Sequence, residues 1–196
     1  MAKTEPDAQV TAALDAMARS PLAGLPKLHI GGREPKAGWQ ILNIQPGPDV
    51  DHVAPIEDLS GFQDGAFAAI YGSHVLEHVS YARDLLGTLK GFYRVLAPGG
   101  LLMVSVPDLE RLAYLFLAPY LSMQDKFMVM RMIFGGQIDD HDFHKVGLSA
   151  PILAQYLSQA GFVDWKRVAN FGLFDDTSAM SFVGVPISLN MMARKP

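Results

Sequence analysis

Residues 67–107 read FAAIYGSHVLEHVSYARDLLGTLKGFYRVLAPGGLLMVSVP. Phe67 to Tyr71 is nearly all apolar, the mark of a strand covered on both faces. Leu85, Leu89, Phe92, Tyr93 and Leu96 then recur at three- and four-residue steps, which predicts a helix. Pro98-Gly99-Gly100 stops that helix, and Leu101 to Val106 forms a second apolar strand closed by Pro107. Strand, helix, strand at this spacing is a βαβ unit, and a βαβ unit implies a parallel sheet.

Upstream of this unit lie shorter apolar runs. Leu28 to Ile30 is followed by Gly31-Gly32, and Ile41, Leu42 and Ile44 precede the turn Pro46-Gly47-Pro48. Val50 and Val53 make a weak third strand. Only residues 33–38 separate Gly32 from Trp39. A parallel crossover carrying a helix needs roughly ten to twelve residues or more, so the first crossover helix is missing or reduced to a turn. Residues 1–27 read as an N-terminal helical arm, with Val10, Leu14 and Met17 on one face.

Downstream, residues 108–148 read as a helical insertion that caps the ligand edge of the sheet. Asp108 caps a helix through Ala118, and Ser122 to Asp125 has capping-box spacing for a second helix through Phe134. That second helix is apolar almost all round and rich in methionine. Plain core, a homodimer surface and an adaptable substrate wall are its three readings. A polar loop, Asp139 to Lys145, follows it. Ser149 caps a further helix ending at Gly161, and Phe162–Val168 and Pro186–Ala193 are the final strands.

Composition narrows the function. The 196 residues suit a single domain, 1–196, and 49% hydrophobic with 18% charged residues excludes a disordered chain. A net charge of −4 lacks the footprint of a nucleic-acid binder. The absence of cysteine removes disulfides, thiolate metal sites and a thiol nucleophile. Glu5 and Asp7 stand where a signal peptide needs basic and then apolar residues, and the strongest apolar run, Leu112 to Ala118, is far too short to span a bilayer. The expectation is a soluble cytoplasmic protein with no membrane partner.

The element order and three local texts resemble class I S-adenosylmethionine-dependent methyltransferases. FAAIYGSHVLEHV (67–79) resembles the family's fourth strand and its follow-on, and YRVLAPGGLLMVSVP (93–107) its helix, Pro-Gly-Gly turn and fifth strand. Glu57-Asp58-Leu59 stands where the family carries an acidic-hydrophobic motif that touches adenine. More narrowly the chain is similar to small predicted, type 11-like methyltransferases that share its SHVLEH, VPD, GLFDDTS and ISLN segments. The resemblance implies an α/β Rossmann-like fold, mostly parallel, with a C-terminal antiparallel strand pair. It also implies S-adenosyl-L-methionine as cofactor and in-line methyl transfer to a small-molecule or glycan-type acceptor.

The expected cofactor-binding residues are Gly31, Gly32, Asn43, Asp58, Leu59, Ser73 and His74, with Arg33 added as a cation for the methionine carboxylate in place of the lost helix. His74 and His144 are the candidate catalytic groups. Three features depart from the family, the first being the short connection before Trp39 that has no room for a crossover helix. The glycine motif places Arg33 and Pro35 where the second and third glycines stand, and Asn43 replaces the usual ribose-binding acid. These departures support an alternative: a degenerate methyltransferase-like domain without catalysis that serves as a binding or assembly module. His74 to His78 also spells the H-x-x-E-H string of some zinc hydrolases. It follows a strand directly rather than sitting mid-helix, so no metal is expected at His74, Glu77 and His78.

Overall fold

The βαβ unit forms as the spacing requires, and a mostly parallel sheet grows around it. The computed structural model describes residues 5–196; the first four residues of the expected N-terminal arm lie outside them. Along the described chain run α1 (Ala8–Ala18), β1 (Lys27–Ile30), β2 (Trp39–Asn43), β3 (His52–Val53), β4 (Phe67–Ser73), α2 (Leu85–Val95), β5 (Leu96–Pro107), α3 (Leu109–Leu117), α4 (Met123–Phe134), α5 (Ala150–Ala160), β6 (Val163–Val168), β7 (Ser181–Phe182), β8 (Val185–Pro186) and β9 (Ser188–Arg194). The main sheet has the order β3-β2-β1-β4-β5-β9-β6. Neighbours from β3 to β5 pair in parallel, while β9 runs antiparallel to both β5 and β6.

Three boundaries differ from the sequence reading. β5 begins at Leu96 rather than Leu101, because Leu96 pairs with Phe67 and the chain crosses Pro98-Gly99-Gly100 without leaving the sheet. A Cβ at Gly100 would lie 2.7 Å from the Ala97 carbonyl oxygen, so only glycine passes there. The third strand is the two-residue His52–Val53, without Val50. Pro186 belongs to the small β7–β8 ribbon, and the last long strand starts at Ser188.

The segment between Gly32 and Trp39 contains no helix. α2 and α5 cover one face of the sheet, burying Leu85, Leu89, Phe92, Leu153 and Leu157 against Ile30, Ile70, Leu102 and Val104. Val10 and Met17 of α1, together with Phe171 and Phe174, cover the other. Phe174 stacks 3.9 Å from the His29 ring and 5.3 Å from Tyr71. The Tyr71 hydroxyl donates to Asp176 at 2.5 Å, and Asn190 donates to the Ala169 and Ser178 carbonyls at 2.9 Å. The GLFDDTS and ISLN segments thus dock the β6–β9 connection onto the sheet, which is a structural role.

His29 is buried among these rings, and among the described residues its Nδ1 has no hydrogen-bond partner. Burial holds its pKa down at about 4. A base whose folded pKa lies below its unfolded value stabilises the fold fully above the unfolded pKa, near 6.5, and that stability is lost as pH falls toward 4. Between pH 7.5 and 4.5 His29 accounts for a loss of about 2–3 kcal/mol. His29→Phe should therefore flatten the acid limb of a urea-denaturation series by about that amount. An unchanged acid slope would show that His29 is not the titrating group.

The insertion is anchored at its root. Asp108 caps α3, and its buried carboxylate meets Arg167 at 2.5 Å and Arg111 at 3.4 Å. Ser122 and Asp125 form the capping box of α4. α3 and α4 pack through Leu112, Leu115 and Val129, with Ile187 beneath them. Val129 is the one fully buried residue of α4, and Met123, Phe127, Met128 and Phe134 are exposed. The apolar character read from the α4 sequence therefore lies largely on an outer face. Among the described residues no helix is long and apolar enough to cross a membrane.

Candidate active site

In a parallel α/β sheet the carboxyl ends of the strands form the ligand edge. Here the ends of β1, β2 and β4 open on a cleft of about 290 Å³, lined among others by Gly31, Asn43, Ile56, His74 and His78. That volume lies at the lower end of the roughly 300–1,000 Å³ typical of ligand sites.

Gly31 ends β1 with φ +76°, and a Cβ there would sit 2.4 Å from Val75 Cγ1. The glycine therefore lets the chain after β4 press against the end of β1. Asn43, at the end of β2, is committed to its own backbone: Nδ2 donates to the Gly32 carbonyl at 3.0 Å, and Oδ1 accepts from Gln45 N–H at 2.9 Å. Its amide ties down the short β1–β2 connection. Arg33 donates to the Gln45 side chain at the rim. Ile44 and Ile56 supply the apolar walls and Glu57 an exposed carboxylate.

Of the residues expected to bind cofactor, Gly31, Arg33, Asn43 and His74 line the cleft, and Gly32, Asp58, Leu59 and Ser73 do not. Gly32 is buried under His29, where a Cβ would approach the ring to 2.3 Å. Asp58 is exposed, and its pKa is lowered by the Ser60 hydroxyl and by the Ser60 N–H, which donates to it at 3.0 Å. Leu59 is core, facing Gly91. Ser73, the last residue of β4, keeps its hydroxyl buried and without a hydrogen-bond partner among the described residues. At the acidic-hydrophobic motif the cleft-lining residues are instead Glu57, its first residue, and Ile56 just before it. Gln45, His141 and Lys145 also line the cleft, and no sequence pattern had singled out Gln45.

The segment after β4 turns sharply. His74 takes φ +54°, and Leu76–His78 forms a single short turn rather than a helix. The Ser188 hydroxyl donates to the Thr177 carbonyl at 2.8 Å, so in its 2.9 Å contact with His74 it is Nε2 that donates. The network thus assigns His74 a neutral tautomer with its Nδ1 lone pair facing Glu77 at 3.4 Å. Burial lowers the His74 pKa to about 4 and raises that of Glu77 to about 8. His78 Nδ1 donates to the Phe143 carbonyl at 3.2 Å. His144 does not line the cleft. It packs behind the wall, its ring 4.9 Å from that of His78 and nearly perpendicular to it.

Residues 39–104 match the family model of a methyltransferase domain. A search of curated proteins finds no match. Among solved structures, an S-adenosylmethionine-dependent methyltransferase from Archaeoglobus fulgidus is 18% identical with a TM-score of 0.55, over 95% of this chain and 93% of that one. A Thermotoga maritima protein described as a possible histamine N-methyltransferase is 19% identical with a TM-score of 0.53, over 95% and 89%. A Burkholderia thailandensis 1,6-didemethyltoxoflavin N1-methyltransferase, solved with S-adenosylhomocysteine, is 16% identical with a TM-score of 0.52, over 96% and 79%. At these identities the likeness is one of fold.

Proposed function

We propose that this chain, class I methyltransferase-like in sequence motif and in fold, is an S-adenosyl-L-methionine-dependent methyltransferase acting on a small-molecule or glycan-type acceptor. The observation that carries the reading is Gly31. At the end of the first parallel strand, its positive φ and missing Cβ let the Val75 segment form one wall of the cleft. The residues present fit the cofactor with one reassignment. Because Asn43 spends its amide on Gly32 and Gln45, the polar contacts to the ribose fall to Gln45 and Glu57. Ile44 and Ile56 flank the space for a flat base, and Arg33 supplies a cation at the rim for a carboxylate.

When bound, the cofactor supplies an electrophilic methyl group. The chain itself must hold an acceptor in line with it, exclude water and keep any base unprotonated. His74 is suited to the last requirement, since burial keeps its imidazole neutral at pH 7. Its Nε2 proton is given to Ser188, so it acts by fixing the wall rather than by reaching outward. His144, behind the wall, affects the acceptor side only through His78. His141 and Lys145 close the cleft from the loop after α4, which supports a capping role for that end of the 108–148 insertion. The exposed Phe127, Met128 and Phe134 on α4 offer an apolar face for a homodimer. The chain's charge of −4 favours a small acceptor over nucleic acid.

A ligand that binds only the native state stabilises it by about RT ln(1 + [L]/Kd), or roughly 2.7 kcal/mol at a hundredfold excess over Kd. S-adenosylhomocysteine should therefore raise the unfolding midpoint progressively, by several degrees. A melting curve flat to millimolar ligand would instead promote the non-catalytic binding module.

A further inference from the structure

The geometry points to a second site behind the cleft wall: Glu77, His78 and His144 hold one divalent first-row transition-metal ion. One ligand atom from each of the three lies within 4.8 Å of the others. An ion with bonds of about 2.1 Å keeps its ligand atoms roughly 3–3.5 Å apart, so modest ring rotations complete the set.

The stronger argument is a mismatch between donors and acceptors. Glu77 is 1% exposed, yet among the described residues neither carboxylate oxygen has a hydrogen-bond partner, and the buried Nδ1 of the partly buried His144 has none either. The Nδ1 lone pair of His74 faces the same carboxylate. A buried polar atom left unpaired destabilises the fold, because it has lost its water without gaining a partner. A proton on Glu77 can pair its carboxyl with His74 Nδ1 but leaves His144 unpaired, whereas a cation held by Glu77, His78 and His144 engages the carboxylate and both of those imidazoles.

The ligand chemistry selects the ion. Two imidazoles and one carboxylate suit zinc, iron(II), nickel or manganese, while calcium and magnesium prefer sets made mostly of oxygen. His78 is already oriented as metal-ligating histidines are, with Nδ1–H on the Phe143 carbonyl and Nε2 left free. Of the three ligands only His78 also lines the cleft; Glu77 and His144 lie behind its wall. The expectation of no metal rested on the local H-x-x-E-H string. The structural set drops His74 from that string and takes His144 from the far end of the insertion.

This site does not depend on the methyltransferase reading, and metal titration tests it alone. Metal-free protein titrated with cobalt(II) should take up one equivalent, giving the visible absorption of a nitrogen- and oxygen-ligated ion, and zinc should displace it. Glu77→Gln and His144→Ala should each weaken uptake by about 10²-fold or more, while His52→Ala, on β3, should leave it unchanged. No uptake by the wild type overturns the site, as does uptake that survives both ligand variants or falls with His52→Ala. Should the variants fail to fold, diethyl pyrocarbonate labelling of the wild type decides. Zinc must protect His78 and His144 while His52 stays reactive, and equal labelling with and without zinc overturns the proposal.

Discussion

Gly31→Val should destabilise the protein by about 2–5 kcal/mol and abolish S-adenosylhomocysteine binding. Two costs combine. A β-branched residue at φ +76° is held in a region worth about 1–3 kcal/mol of strain. Its Cβ would also lie 2.4 Å from Val75 Cγ1, and forcing extra methyl groups into a packed contact costs about 1–3 kcal/mol more. For a chain of this size that lowers the midpoint by roughly 5–15 °C. Val75 lines the cleft, so its displacement should weaken binding even where the variant stays folded. Gly61→Val is the control, because a Cβ at Gly61 meets nothing within 4 Å. Thermal unfolding and calorimetric titration on the two variants read both effects. A Gly31→Val protein as stable and as competent as Gly61→Val would remove the basis of the site.

Asp108→Ala should cost about 2–4 kcal/mol and loosen the insertion. Its carboxylate is 1% exposed and does three things: it accepts from Arg111 N–H as the cap of α3, and it receives both the Arg111 and the Arg167 guanidinium. Loss of the cap contributes about 1 kcal/mol. Breaking a buried ion pair can cost about 3–5 kcal/mol when the partner stays buried, but both arginines here are more than a third exposed and can return to water, which lowers the figure. Asp108→Asn keeps an acceptor for the cap and should cost only about 1–2 kcal/mol. Urea denaturation of the pair, with limited proteolysis at the exposed 135–144 loop, measures both the global and the local effect. Equal stability of Asp108→Ala and wild type would show that the arginines contribute nothing at this position.

What could be read from the chain alone was what neighbouring residues decide among themselves. The apolar steps of Leu85 to Leu96, the cap spacing of Ser122 and Asp125, the stop at Gly161 and the six-residue gap before Trp39 each act within one or two turns of chain. They specified the βαβ unit, three of the helix boundaries and the missing crossover helix. They placed the ligand edge too, because strand ends in a parallel sheet share one side.

Only the tertiary structure decided how individual side chains are spent. Asn43 looked free to bind a ribose, but the short β1–β2 connection brings the Gly32 carbonyl to its amide, and the buried His29 ring leaves room for nothing larger than glycine at position 32. Asp58 and Leu59 carried the motif, yet the turn before β4 directs one to solvent and the other into the core, leaving Ile56 and Glu57 at the cleft. Pro98-Gly99-Gly100 read as a break, but pairing of Leu96 with Phe67 and of Gly100 with Lys195 keeps it in the sheet. The meeting of His78 with Phe143 and His144 spans 65 residues and depends on how the insertion returns to the sheet. Local pattern determines which elements form, because backbone hydrogen bonds and periodic burial are short-range in sequence. Which polar groups pair, and which are left buried without partners, is settled only when segments distant in sequence are packed together.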